Sequence, residues 1–190
     1  MNKYRLERTI TVVSRQEQEE QDLEYWSICT LMFQDDFKEW LRLLTEKKVE
    51  YLLVGGYAVA LYGIPRTTGD LDIWIRNSEE NVAKVIDCLN SFGFSSLGFT
   101  NEDLLKPYAI IQLGFPPVRI DIITDIDGVS FDDAIKNCKI TAYGDLTLSL
   151  ISIEDLIKNK SVSGRKVDLA DVEKLKKLRR IEPPPGGVDL

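Results

Sequence analysis

Histidine is absent from all 190 residues, and there are only three cysteines. Without imidazole there is no Ser-His-Asp or Cys-His relay and no nitrogen ligand for zinc. Cys29, Cys88 and Cys138 lie far apart and form no Cys-x-x-Cys pair. That excludes a sulfur zinc cage and argues against a disulfide framework. Long apolar runs are also missing. The uncharged stretch from Tyr51 to Ile64 is broken by Gly55-Gly56 and falls short of the roughly 20 residues a spanning helix needs, so no membrane is expected. Met1–Ile10 carries Lys3, Arg5, Glu7 and Arg8 with no apolar run behind them; no secretory signal is expected, and the location expected is cytoplasmic. Positive charge is in deficit, 24 Lys+Arg against 31 Asp+Glu for a net charge of −7, which argues against a sequence-blind grip on nucleic acid. Chemistry is left to carboxylates, Lys, Arg, Tyr, Ser or a hard metal held by oxygen.

What is present is a chain of ordinary globular composition, 44% hydrophobic and 29% charged, long enough for one domain with extras. Residues 1–30 are charged and Gln-rich and read as an N-terminal extension: a strand or loop leading to a short exposed helix, or partial disorder. A domain is expected over 31–179. From 180 to 190, three prolines and two glycines predict a loose tail. Within the domain, Phe37, Trp40, Leu41 and Leu44 repeat at helical spacing. Tyr51–Val54 reads as a short strand ending in Gly55-Gly56, followed by a short helix. Asp70–Ile75 alternates strictly, with Leu71, Ile73 and Ile75 on one face and Asp70, Asp72 and Trp74 on the other. A helix starting at Asn77-Ser78-Glu79-Glu80 buries Val82, Val85, Ile86 and Leu89 and ends near Gly93. Ala109–Leu113 and Val118–Thr124 predict a hairpin turning through Gly114-Phe115-Pro116-Pro117. A short helix over Phe131–Asn137, strands at Lys139–Tyr143 and Leu146–Leu150, and helices over Ile153–Lys158 and Val167–Leu178 complete the pattern. The order predicts an α+β fold, a short mixed β-sheet with helices packed mainly on one face.

The chemistry concentrates around Asp70-Leu71-Asp72. Two residues apart on a strand, these carboxylates leave one face roughly 6.6 Å from each other and can converge on hard cations. Asp121, between Ile120 and Ile122, shares a strand face with Arg119 and Ile123 and is the candidate third carboxylate. An acidic face kept on two apolar strands is costly without a cation. Each feature alone also has an ordinary reading: a solvated strand end for Asp70 and Asp72, an edge-strand charge for Asp121, and a plain tight turn for Gly55-Gly56. Glycine there also allows close backbone approach to a ligand. Arg66, in the loop before Asp70, could reach over the site or simply face solvent.

Taken together, Gly55-Gly56, then Asp70-Leu71-Asp72-Ile73, then a later apolar-Asp-apolar strand resemble the DNA polymerase beta-type nucleotidyltransferases. The stretch from Val54 to Trp74 resembles small prokaryotic members, including minimal nucleotidyltransferases and the nucleotidyltransferase-like toxins of abortive-infection toxin–antitoxin systems. The resemblance extends over about residues 35–178. It implies a polymerase beta-like core and transfer of a nucleoside monophosphate from a nucleoside triphosphate to a hydroxyl acceptor (an RNA or tRNA, a protein or a small molecule) with release of pyrophosphate. It implies that Asp70 and Asp72 bind Mg²⁺ or Mn²⁺ with the triphosphate, and that Asp121 binds the catalytic metal and helps activate the acceptor hydroxyl. It further implies that Gly55 and Gly56 cradle the phosphates. Many members carry Gly-Ser here, and this chain has Gly56 where they have Ser. The segment from Lys160 to Asp171 resembles the family's Lys, Gly-Arg and Asp-x-x-Asp, implying that Lys160 and Arg165 face the nucleotide while Asp168 and Asp171 brace them. A weakened site in a toxin–antitoxin component, acting by binding a cognate partner or a nucleotide, is the alternative. Finally, Lys158–Arg180 holds nine basic residues against three acidic ones, read as a solvated helix face or a docking strip for an RNA acceptor.

Overall fold

In the computed structural model the described residues are 34–115 and 118–181. The expected N-terminal extension, Cys29 and the tail from 182 onward lie outside them. The chain opens with α1 (Asp35–Glu46), whose expected stripe of Phe37, Trp40, Leu41 and Leu44 is fully buried, with Asp35 and Asp36 in the favourable first turn. Next come β1 (Tyr51–Leu53), α2 (Gly55–Leu61), β2 (Asp70–Ile75) and α3 (Glu79–Leu89). Ser78 caps α3, its side chain accepting from the Asn81 N–H. A short helix α4 (Asn101–Leu105), absent from the sequence reading, follows; Thr100 and Asp103 close a reciprocal capping box at its start. The hairpin β3 (Ile110–Phe115) and β4 (Val118–Ile123) takes Gly114 and Phe115 into the strand rather than the turn. The short α5 (Phe131–Ala134), strands β5 (Lys139–Tyr143) and β6 (Leu146–Leu150), and helices α6 (Ile153–Ser163) and α7 (Lys166–Ile181) complete the described chain. Both last helices outrun their expected limits. α6 continues until Gly164 adopts the left-handed conformation that ends helices without penalty, and α7 runs through Ile181.

The six strands form one mixed sheet in the order β3-β4-β2-β1-β6-β5. β2 pairs parallel with β4 and antiparallel with β1; β3–β4 and β5–β6 are antiparallel hairpins. The register aligns one apolar face: Leu71 with Ile120 and Leu113, and Ile73 with Ile122 and Ile111. All six are buried. Because strand side chains alternate, the residues between them must emerge together on the opposite face.

Candidate active site

That opposite face is a small grid. Asp70 sits across from Arg119, and Asp72 across from Asp121, on the parallel strands β2 and β4. Paired strands lie about 4.8 Å apart and alternate residues about 6.6 Å apart, so three carboxylates and one guanidinium stem from the corners of a tight rectangle. β3 extends both rows, placing Gly114 beside Arg119 and Gln112 beside Asp121. Beyond Asp72 the face is closed by Trp74, whose indole packs edge-on to Phe131 at 5.0 Å and donates its N–H to the Thr124 carbonyl. Asp70, Asp72 and Asp121, expected to share a face, do so.

Arg119 was visible in the sequence as a face-sharer of Asp121 but carried no role. In the structure it ties the grid together. Its Nη2 donates to Asp70 Oδ2 at 2.6 Å and Asp121 Oδ2 at 3.0 Å, and its Nε to Asp121 Oδ1 at 2.7 Å. Gln112 Nε2 adds a longer bond to Asp121 Oδ2 at 3.3 Å. Asp72 faces a different environment. Burial, then the charges of Asp121 and Asp70, push its carboxyl up to about 7, against the opposing backbone N–H of Gly56 and the charge of Lys160. A carboxylate held this way gains most from a cation placed beside it.

The glycine pair explains itself through the same carboxylate. Gly55 has φ +66°, and a Cβ there would fall 1.9 Å from Asp72 Oδ2; a Cβ on Gly56 would fall 2.6 Å from Thr68 Oγ1. Only glycine lets the start of α2 press against Asp72 and the loop before β2. Tyr57, next in sequence, turns into the protein and packs edge-on to Phe37 at 5.7 Å.

The expected basic residues form a second cluster at the junction of α6 and α7. Lys160 is buried, and its ammonium donates to Asp168 Oδ1 at 2.8 Å and Asp171 Oδ2 at 2.9 Å. Arg66 Nε reaches Asp171 Oδ2 at 3.3 Å, and its Nη1 donates to the Thr67 carbonyl at 2.7 Å. Arg165 bonds Asp168 Oδ2 while its side chain stays 74% exposed. The two aspartates thus brace all three cations. Lys160 is enclosed by its partners rather than open to a ligand, whereas Arg165 remains accessible. The charges of Lys160 and Arg165 are felt at Asp72, so the two clusters are neighbours. Farther along α7, Lys174, Lys176, Lys177, Arg179 and Arg180 are exposed around a solvated face.

The residues fit a hard divalent cation in kind: the three carboxylates offer oxygen ligands, and burial together with the neighbouring charges has already raised one of them. Among the described residues no three acidic or cysteine side chains are placed closely enough to hold a metal ion, and Arg119 lies between two of the three carboxylates. Among the described residues no helix is long and apolar enough to cross a membrane.

Known proteins resemble this chain in sequence or in fold. The family described as nucleotidyl transferase of unknown function (DUF2204) matches residues 33–184. The solved lincosamide antibiotic adenylyltransferase LnuA, bound to lincomycin, is similar over 77% of this chain and 98% of its own, at 21% identity and a TM-score of 0.50. A protein of Thermotoga maritima assigned as a nucleotidyltransferase (TM1012) is 19% identical over 84% of this chain and 92% of its own, with a TM-score of 0.46. The antibiotic-resistance factor ANT(2'')-Ia is 13% identical over 84% and 91%, with a TM-score of 0.47. No curated protein sequence matches the chain.

Proposed function

The chain belongs to this family of nucleotidyl transferases, and on that premise we propose that it moves a nucleoside monophosphate from a nucleoside triphosphate to a hydroxyl acceptor, releasing pyrophosphate. The observation that carries the reading is the rectangle on β2 and β4: three carboxylates raised on one face, one of them held up at about 7 by burial and by the charges of its neighbours. Asp70 and Asp72 hold Mg²⁺ or Mn²⁺ that arrives with the triphosphate, and Asp121 completes the set on the side of the acceptor. When bound, the divalent cation offsets charge on the phosphates and makes the acceptor hydroxyl easier to deprotonate. Asp121 orients that hydroxyl and favours loss of its proton. Gly55 and Gly56 keep the backbone close to Asp72 and offer the short approach a phosphate needs. Arg165, exposed and next to the grid, supplies charge to the triphosphate, and Arg66 adds to it from the preceding loop. Lys160 acts behind them, holding Asp168 and Asp171 so that both arginines stay in place.

The test is incubation with each α-labelled nucleoside triphosphate and Mg²⁺ or Mn²⁺, offering RNA, protein and small hydroxyl compounds as acceptors. Wild type labels one acceptor class and Asp70→Ala labels none. Wild type labelling no acceptor class overturns transfer; calorimetric binding of Mg²⁺–nucleotide without any transfer would instead mark a binding component of the toxin–antitoxin kind.

A further inference from the structure

Among the described residues Arg119 is the one cation on the carboxylate grid, and its contacts are with the atoms that define the candidate site. It reaches both oxygens of Asp121 and one of Asp70, spanning the two strands. The fork geometry of a guanidinium suits this: its Nε and Nη2 grip one carboxylate side-on while Nη2 also serves a second. Asp121 is almost wholly buried and the Arg119 side chain is only 22% exposed, so their pair is not a loosely solvated one; the Asp70 carboxylate is more open to solvent. The β2–β4 register makes the arrangement unavoidable. Asp70 lies directly opposite Arg119, and Asp121 lies two residues along the same strand face.

A divalent cation held by Asp70 and Asp121 would draw on the same carboxylates: Arg119 already occupies both oxygens of Asp121 and one of Asp70. The guanidinium and a metal would therefore compete for their charge and for part of their lone pairs. Resting on the reading of the grid as a metal site, we propose that Arg119 is a positioning residue that competes with the divalent cation for Asp70 and Asp121, and so sets the metal concentration at which the site loads. Arg119 bridges the two carboxylates and offsets part of their charge until a stronger cation takes them. Loading therefore costs the release of up to three charge-assisted bonds. Asp72, which Arg119 does not touch, is outside this competition and stays available as the first ligand.

The test uses the full chain and MnCl₂ alone as probe, with bound Mn²⁺ counted by electron paramagnetic resonance and by calorimetry at constant pH and ionic strength. Arg119→Gln keeps a polar side chain but removes the charge, and should bind Mn²⁺ about tenfold more tightly than wild type, the scale of one or two lost charged hydrogen bonds. Arg119→Lys keeps the charge but cannot fork across two carboxylates, and should fall between them. It also serves if the Gln variant fails to fold, which thermal unfolding of each protein reports. A purely structural arginine would give equal or weaker Mn²⁺ binding in both variants, and that result overturns the competition while leaving the metal site standing. Wild type and variants that all fail to bind Mn²⁺ at millimolar concentration overturn the metal-site reading and this proposal with it.

Discussion

Two carboxylate clusters sit side by side in this molecule, and opposite arithmetic governs them. At the α6–α7 junction, Asp168 and Asp171 share three cations, Lys160, Arg66 and Arg165. On the β2–β4 face, among the described residues, Asp70 and Asp121 share one, Arg119, and Asp72 pairs with none. The consequence is visible in their titration. Burial would raise the Asp168 carboxyl, but hydrogen bonds from Lys160, Arg165 and Ser163 outweigh it and hold it below its ordinary value. Its stabilising contribution is thus present above the usual carboxylate range and is lost as pH falls through that lowered value. Asp72 is pushed the other way, up to about 7. One cluster is neutralised from within and holds two helices together. The other is left short of positive charge, which is the condition for needing a cation from outside.

Changes that unbalance each cluster sharpen the contrast. The largest expected effect is Lys160→Met, which takes the one buried cation from two buried carboxylates and leaves them only Arg66 and Arg165; it should cost about 3 kcal/mol in urea unfolding. Replacing Asp168 and Asp171 by Leu in the same protein should recover most of that loss, because the uncompensated charge is removed. Next is Asp72→Asn, with the opposite sign. Between about pH 4, where the unfolded carboxyl titrates, and about pH 7, the folded state holds a proton that the unfolded state has released, so wild-type stability falls across this window and is flat above it. The Asn variant should lack that decline and gain on the order of 2 kcal/mol at about pH 8, while losing nucleotidyl transfer. Melting curves at several pH values decide this; a variant less stable than wild type at high pH contradicts the crowding of the grid.

Gly55→Ala should cost about 1–2 kcal/mol, because alanine resists the φ of +66° and its methyl meets Asp72. Metal binding should weaken along with stability, since the carboxylate must move. The smallest structural effect belongs to Arg165→Ala, a largely exposed partner of Asp168, at under about 1 kcal/mol. Its nucleotide affinity should nevertheless drop several-fold; unchanged affinity would remove Arg165 from the triphosphate site.

Much of this was legible because strand alternation is strict. Asp70, Asp72 and Trp74 had to share a face opposite Leu71, Ile73 and Ile75, and Arg119 had to share one with Asp121. What alternation could not supply is register. That Asp72 meets Asp121, and Asp70 meets Arg119, follows from β4 pairing parallel to β2, a long-range event with no local signature. The same holds for Lys160: the family resemblance implied that Asp168 and Asp171 brace it, but only the packing of α6 on α7 buries its ammonium between them. The short helix α4 escaped because it offers one buried residue, Leu104, and no periodicity; its Thr100–Asp103 box was the available signal. Gly164 marked the true end of α6 in plain sight.

The central claim, that the grid of Asp70, Asp72 and Asp121 supports metal-dependent nucleotidyl transfer, is tested most directly by the fate of the label. Parallel reactions carry the same triphosphate labelled at the α or the γ phosphorus, with and without Mn²⁺, using wild type and Asp121→Asn. The α label should enter the acceptor and the γ label should leave as pyrophosphate, only with Mn²⁺ and only in wild type. Transfer of the γ label, or equal transfer by Asp121→Asn, would contradict the account.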